Sequence, residues 1–127
     1  MIFKQVFDTK SSTYTYIIAS GKGREAVIID PVIENVESYI RLLNELDLKL
    51  VKVIDTHIHA DHVTGASKLK QATNCSTLMG EHTPADAVEI KVKDDEIIKI
   101  DQIEIKAMYT PGHTSDSYSF LMDNYLF

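Results

Sequence analysis

The chain has 127 residues, of which 44% are hydrophobic, and its 13 basic side chains stand against 19 acidic ones for a net charge of −6. This length predicts one domain over residues 1–127 with a buried core. The dispersed charge excludes the clustered Lys and Arg of a nucleic-acid-binding surface, and no apolar run approaches the ~20 residues that span a bilayer, so neither nucleic acid nor membrane is an expected partner.

Strand and helix patterns alternate in the first half of the chain. Tyr and Ile alternate with Thr over residues 13–18, which predicts a strand, and residues 21–23 and 26–29 follow as the turn and second strand of a hairpin. One face of an α-helix is then predicted by the apolar spacing of Ile33, Val36, Ile40 and Leu43, which Leu42 and Leu46 widen. Residues 48–54 form a β-branched run typical of a strand covered on both faces.

The second half begins with a histidine-rich segment between that strand and a short helix predicted over residues 63–69. Further strands are predicted over residues 76–79, 103–109 and 118–122, and the second of these has an alternation that buries Ile103, Ile105 and Ala107. A tight turn at Asp123-Asn124 leads into Tyr125-Leu126-Phe127, the expected opening of a strand that the sequence does not complete. Strands that alternate with one or two helices predict an α/β or α+β class.

Four of the five histidines fall in two predicted loops. His57 and His59 stand two apart after a strand, so in an extended segment both imidazoles project to one side and can bind one ion at ~2.0–2.2 Å. Asp61 and His62 follow where the chain turns into the helix and approach from another direction, and His113 follows a Pro-Gly pair. The pattern predicts a centre for one or two metal ions, with Asp61 also the candidate catalytic residue.

Two other residues of reactive type are interpreted as structural. His82 has no partner of this kind in the sequence, so we expect an exposed loop residue. Cys75 is the only cysteine, which excludes an internal disulfide, and we expect it to be a small core residue. The N-terminal residues 1–8 lack the basic start and apolar stretch of a signal peptide, so a cytoplasmic location is expected.

The histidine pattern also resembles a known family. His57-x-His59-x-Asp61-His62 matches the signature of the metallo-β-lactamase superfamily, and Thr110-Pro111-Gly112-His113-Thr114 is similar to the loop that supplies its next histidine. Four further segments look like the bacterial persulfide dioxygenases: Phe7-Asp8, residues 11–16, Asp30-Pro31 and residues 117–120. The resemblance implies an αββα sandwich, of which the chain would cover roughly the N-terminal half, with a carboxylate ligand and the substrate pocket expected after Phe127.

By this resemblance the protein is an enzyme that oxidises glutathione persulfide, or a related persulfide, to sulfite and thiol. One Fe(II) per site would be held by His57, His113 and the downstream carboxylate, an arrangement usual for non-haem iron. His59, Asp61 and His62 would then orient the ligands or form a second site. The expected partner is a small thiol or persulfide of the glutathione type.

Two other functions fit the same residues. In a dinuclear zinc thioester hydrolase of the glyoxalase II type, His57, His59 and His113 would bind one Zn(II), and Asp61 and His62 would bind the other. Alternatively, the chain is a non-catalytic fragment or subunit that needs another chain to complete its sheet and site. The apolar strand at its C-terminus would favour such pairing, which makes a homo-oligomer possible.

Overall fold

The computed structural model describes residues 1–56, 65–82, 89–112 and 116–127, and their strands form two sheets. The first sheet has the order β1 (Ile2–Asp8), β2 (Thr13–Ala19), β3 (Glu25–Ile29), β4 (Lys49–Ile54), β5 (Ser76–Gly80) and β6 (Ile90–Val92). The second has the order β10 (Tyr125–Leu126), β9 (Tyr118–Met122), β8 (Ile103–Tyr109) and β7 (Ile97–Ile100). Strands β1 to β3 pair antiparallel, β3 to β6 pair parallel, and the second sheet is antiparallel throughout.

Two α-helices lie in the crossovers from β3 to β4 and from β4 to β5, which parallel pairing requires. A 3-10 turn, Ile33–Asn35, precedes helix α1 (Val36–Glu45) between β3 and β4, and helix α2 (Ala66–Thr73) precedes β5. Helix α2 ends at Asn74, whose left-handed φ of 59° lets its N–H donate to the carbonyl of Lys70 and terminate the helix. Both helices lie on the same face of the first sheet, because their buried residues share one core cluster with that sheet.

The two faces of the first sheet bury different cores. On the helix side, Tyr39 and Leu43 of α1 pack with Ile17, Ile28 and Val53 of the sheet. On the other side, the first and second sheets pack face to face, and the shared core is formed by Ile18, Val27, Ile29, Ile54, Leu78, Ile98, Ile105 and Phe120. The layers are therefore helices, sheet and sheet, which confirms the predicted α/β class and gives the αββ part of an αββα sandwich.

Most of the predicted elements are confirmed, with differences at several places. The hairpin, the strand covered on both faces and the burial of Ile103, Ile105 and Ala107 agree with the prediction. In α1, Tyr39 is fully buried where the spacing had favoured Ile40, which is only partly buried. The strands β1, β6 and β7 were not predicted. Helix α2 begins at Ala66, and residues 63 and 64 of its predicted start lie outside the described residues.

The core position predicted for Cys75 is confirmed. Cys75 is buried, and this burial raises the pKa of its thiol, as suits a core residue better than a nucleophile. Among the helices of the described segments, none is both long and apolar enough to cross a membrane.

Candidate metal centre

The predicted ligands His57, His59, Asp61, His62 and His113 all lie outside the described residues, in the segments 57–64 and 113–115. What the structure describes is the frame that carries these segments. Among the residues that the structure describes, no group of three or more His, Cys, Asp or Glu is placed to hold a metal ion. The described residues next to segments 57–64 and 113–115 show how the chain is held on either side of the candidate ligands.

Asp30 holds the start of the first loop. It follows β3 with a left-handed φ of 54°, which is uncommon for a residue other than glycine. Its N–H donates to the carbonyl of Ile54 at 2.8 Å. Its carboxylate accepts two hydrogen bonds from Thr56, one from the backbone N–H at 2.8 Å and one from Oγ1 at 2.9 Å. The residue immediately before His57 is thus fixed in both main chain and side chain.

Gly65, the residue after segment 57–64, is bound to Pro31, which follows Asp30 in the chain. Its N–H donates to the carbonyl of Pro31 at 2.9 Å. A Cβ at this position would lie 2.8 Å from Cγ2 of Val36 and 3.3 Å from the carbonyl oxygen of Val32, so the close approach requires glycine. Thr56 and Gly65, the residues on either side of segment 57–64, are therefore both hydrogen-bonded to the Asp30-Pro31 turn.

The second loop is closed at its base and joined to the first. The N–H of Thr110 donates to the carbonyl of Ser117 at 3.0 Å, and the hydroxyls of Thr110 and Ser119 are hydrogen-bonded at 2.8 Å. The N–H of Tyr118 donates to the carbonyl of Thr56 at 2.8 Å. A residue of the second sheet, five positions after His113, therefore contacts the residue before His57. The two histidine-bearing loops start from adjoining points.

An aromatic cluster lies beside this junction. The ring of Tyr118 is buried 5.3 Å from the ring of Tyr109, and burial raises the pKa of its phenol, with the nearby Glu81 carboxylate as a further cause. The imidazole of His82 stacks on Tyr109 with ring centroids 3.9 Å apart. His82 is exposed, as predicted, although the sequence did not indicate this stacking. The cluster forms an apolar side to the region where the two loops begin.

The donor set of the two loops suits a metal ion. Imidazoles and a carboxylate are ligands that zinc and non-haem iron both accept. The hydrogen bond between Tyr118 and Thr56 brings the bases of the loops together at the carboxyl ends of the parallel strands, where open α/β sheets place their ligands. The frame and the residue types therefore fit a metal centre at this edge.

Comparison with known proteins gives the family. A model of the metallo-beta-lactamase superfamily matches residues 8–125. The chain belongs to this superfamily. Membership implies a metal cofactor, and it agrees with the histidine signature and the layered sheets.

Within the metallo-beta-lactamase superfamily, the chain is similar to persulfide dioxygenases. It is 32% identical over 126 residues to the mitochondrial persulfide dioxygenase ETHE1 of Bos taurus, a match that covers 98% of this chain and 49% of that protein. The crystal structure of ETHE1 from Myxococcus xanthus superposes with a TM-score of 0.95 at 40% identity, covering 100% of this chain and 56% of that one. A probable hydroxyacylglutathione hydrolase of Schizosaccharomyces pombe is 33% identical over 109 residues, covering 84% of this chain and 42% of that protein. The chain spans about half the length of the curated relatives it matches.

Several residues of the frame were not recognised as such from the sequence. Asp30 and Pro31 were noted only as a segment similar to one family, and Thr56 only as the residue before the histidines. Gly65 carries a local signal, since a glycine before a helix suggests a tight approach. The role of Tyr118 has no local signal, because its backbone partner Thr56 follows β4 of the other sheet and is far away in the sequence.

Proposed function

We propose that this chain carries the histidine loops of an iron-dependent persulfide dioxygenase, an oxidoreductase that converts glutathione persulfide or a related persulfide to sulfite and thiol. The observation that carries the proposal is similarity to persulfide dioxygenases over 98% of the chain. The joined loop bases support it, because a single ion needs ligands from both loops. A small thiol or persulfide is then the partner of the site.

In this proposal His57 and His113 hold one Fe(II), and by family resemblance a carboxylate outside these 127 residues is the third ligand. The iron, when bound, supplies the oxygen chemistry, while the protein supplies orientation and a dry site. His59, Asp61 and His62 orient the ligands, and Asp61 remains the candidate catalytic carboxylate. Asp30 holds Thr56, the residue before His57, and the N–H of Tyr118 joins the second sheet to the carbonyl of Thr56.

A dinuclear zinc thioester hydrolase is the second candidate, favoured by the similarity to the Schizosaccharomyces pombe hydrolase. It would use His57, His59 and His113 for one Zn(II), and Asp61 and His62 for the other. The dioxygenase is preferred because its similarity extends over more of the chain, 98% against 84%. The metal found in protein purified without added metal separates the two, since one proposal requires iron and the other zinc.

A cytoplasmic location is also proposed. Its support is the single buried thiol of Cys75, which leaves the fold independent of an oxidising compartment. In cell fractionation, we expect the protein in the cytosolic fraction, with Cys75 in the thiol form. Recovery with an oxidising compartment would contradict it.

Oxygen consumption tests the proposed function. Glutathione persulfide and Fe(II) are added to this chain and to a form lengthened at its carboxyl end to the size of the relatives. The lengthened form should consume oxygen and release sulfite, His57→Ala should abolish both, and His82→Ala should leave both unchanged. Hydrolysis of a glutathione thioester with Zn(II), without oxygen consumption under any of these conditions, would contradict the dioxygenase and support the second candidate.

A further inference from the structure

Two buried hydroxyl groups lie beneath the Asp30-Pro31 turn, on the helix side of the first sheet. Thr15 of β2 and Tyr39 of α1 are each 1% exposed. Thr15 Oγ1 lies 2.7 Å from the carbonyl oxygen of Asp30 and 3.1 Å from the phenolic oxygen of Tyr39. The N–H of Val32 donates to the same phenolic oxygen at 3.1 Å. The hydroxyls therefore contact the turn at both of its ends.

The direction of each hydrogen bond follows from the number of protons available. A hydroxyl carries one hydrogen, a carbonyl oxygen can only accept, and a backbone N–H can only donate. Thr15 must donate to Asp30, so Tyr39 must donate to Thr15 and accept from Val32. One unbroken series of hydrogen bonds thus runs from the N–H of Val32, through both hydroxyls, to the carbonyl of Asp30. Loss of the Tyr39 hydroxyl would remove the acceptor of the Val32 N–H, and loss of the Thr15 hydroxyl would remove a donor to the Asp30 carbonyl.

The same turn carries both ends of the loop 57–64. Thr56 is bound to the carboxylate of Asp30, and Gly65 is bound to the carbonyl of Pro31. Asp30 also holds a left-handed backbone that persists in a residue other than glycine only when the surroundings fix it. Thr15 and Tyr39 are part of those surroundings, because their hydrogen bonds fix the main chain on either side of Pro31.

We propose that Thr15 and Tyr39 are positioning residues for the metal centre. They act through the Asp30-Pro31 turn and determine how firmly Thr56 and Gly65, on either side of the candidate ligands, are held, and through this the affinity for the metal ion. The inference rests on the proposed function only in that this loop binds metal, and it does not depend on which metal or which reaction. The competing explanation is that the two hydroxyls merely satisfy each other within the core beside α1.

The first test measures amide hydrogen exchange in the metal-free chain. Tyr39→Phe should increase exchange at the N–H groups of Thr56 and Gly65 about tenfold relative to that of Ile28, because the turn that holds them loosens. Leu43→Val is the matched control, because it removes one buried methylene group from the same helix without removing a hydrogen bond. It should leave this ratio unchanged. An unchanged ratio in Tyr39→Phe would overturn the proposal.

The second test measures Zn(II) and Co(II) affinity by competition with a chromophoric chelator. Thr15→Val keeps the shape of the side chain without the hydroxyl and should weaken binding about tenfold, as losses beyond the direct ligands do. Thr15→Ser keeps the hydroxyl and should bind within about twofold of the unchanged chain. Equal loss in both variants, or no loss in Thr15→Val, would overturn the proposal, and this pair decides it even if Tyr39→Phe does not fold.

The two tests keep failure of this inference apart from failure of the proposed function. A chain that binds no metal would contradict the metal centre, and with it the claim that Thr15 and Tyr39 set an affinity. Normal metal binding with zinc-dependent hydrolysis would contradict only the proposed reaction and would leave the positioning role standing.

Discussion

Gly80, the last residue of β5, is required by a single aromatic contact. A Cβ at this position would lie 1.9 Å from Cδ1 of Tyr118. The ring belongs to the second sheet, is 2% exposed and cannot move aside without disturbing the core between the sheets. Because the N–H of the same tyrosine donates to the carbonyl of Thr56, the glycine also determines how closely the second sheet approaches the first histidine loop.

Gly80→Ala should therefore destabilise the fold by about 1–3 kcal/mol or more, the usual effect of overpacking a core. Urea denaturation measures the change in the free energy of unfolding. Gly21→Ala is the matched control, since the nearest atom to its added Cβ is Cγ of Arg24 at 3.9 Å, and it should change stability by less than about 0.5 kcal/mol. Equal stability of Gly80→Ala and the unchanged chain would mean that the ring of Tyr118 does not lie over β5.

Among single residues, those with an apolar pattern could be predicted from the sequence and those with a polar role could not. The alternation of Ile103, Ile105 and Ala107 identified a buried face correctly. Tyr39 is also buried, at 1% exposure, yet its hydroxyl marks it as amphipathic, and the apolar spacing favoured Ile40 in its place. Its burial depends on two partners, Thr15 and Val32, that no local pattern associates with it.

At the level of elements, an ion pair joins the two sheets at the end of β3 farthest from the histidine loops. Arg24 lies in the connection between β2 and β3, and Asp101 lies in the turn between β7 and β8. The guanidinium donates from Nε and Nη2 to the two carboxylate oxygens at 2.7 Å each. This bidentate pair, with a further hydrogen bond from Ser20, holds the pKa of the Asp101 carboxyl below its ordinary value.

A lowered pKa in the folded state gives stability that is present above the unfolded pKa and is lost as the pH falls through the folded one. The free energy of unfolding should therefore fall less steeply below about pH 4 in Asp101→Asn than in the unchanged chain. Arg24→Gln should have the same effect, because the carboxyl loses the partner that lowers its pKa. Both groups are exposed, so the difference should shrink in high salt.

Urea denaturation at a series of pH values measures this difference. Asp123→Asn, a change in another exposed turn, is the control and should leave the pH dependence of the unchanged chain intact. If Asp101→Asn shows the same acid-induced loss as the unchanged chain, then the ion pair does not link the sheets in solution.

The strands that were not predicted, β1, β6 and β7, all lie at sheet edges. Strand β6 has three residues and gains its structure from pairing with β5, where Leu78 stands opposite Ile90. Strand β7 follows the charged residues 93–96, and its two buried isoleucines alternate over only four residues, so no strand was predicted there. Strand β1 has only partly buried residues on its inner face. Edge strands depend on neighbours distant in sequence, and their local preference for strand is weak.

At the scale of the whole molecule, the sequence indicates the candidate ligands, whose role as ligands stays a prediction, but it does not indicate the frame beside them. The spacing of His57, His59, Asp61 and His62 indicates a metal centre without any structure. The frame consists of hydrogen bonds between residues that are far apart in the sequence. Thr56 donates to Asp30, Gly65 donates to Pro31, and Tyr118 donates to Thr56. Such pairs form only when both sheets and the crossover connections are in place.

The central claim is that the loops bearing His57 and His113 bind one metal ion between them. The most direct measurement is Zn(II) affinity, by chelator competition, for His57→Ala, His113→Ala, the double variant and His82→Ala. We expect each single ligand change to weaken binding by more than about 100-fold, beyond the effect of residues that only orient ligands. The Zn(II) affinity of the double variant should be close to that of each single variant, because both histidines bind the same ion. His82→Ala should bind Zn(II) as the unchanged chain does. Full affinity in His113→Ala beside lost affinity in His57→Ala would contradict the claim, since the two histidines would then not share an ion.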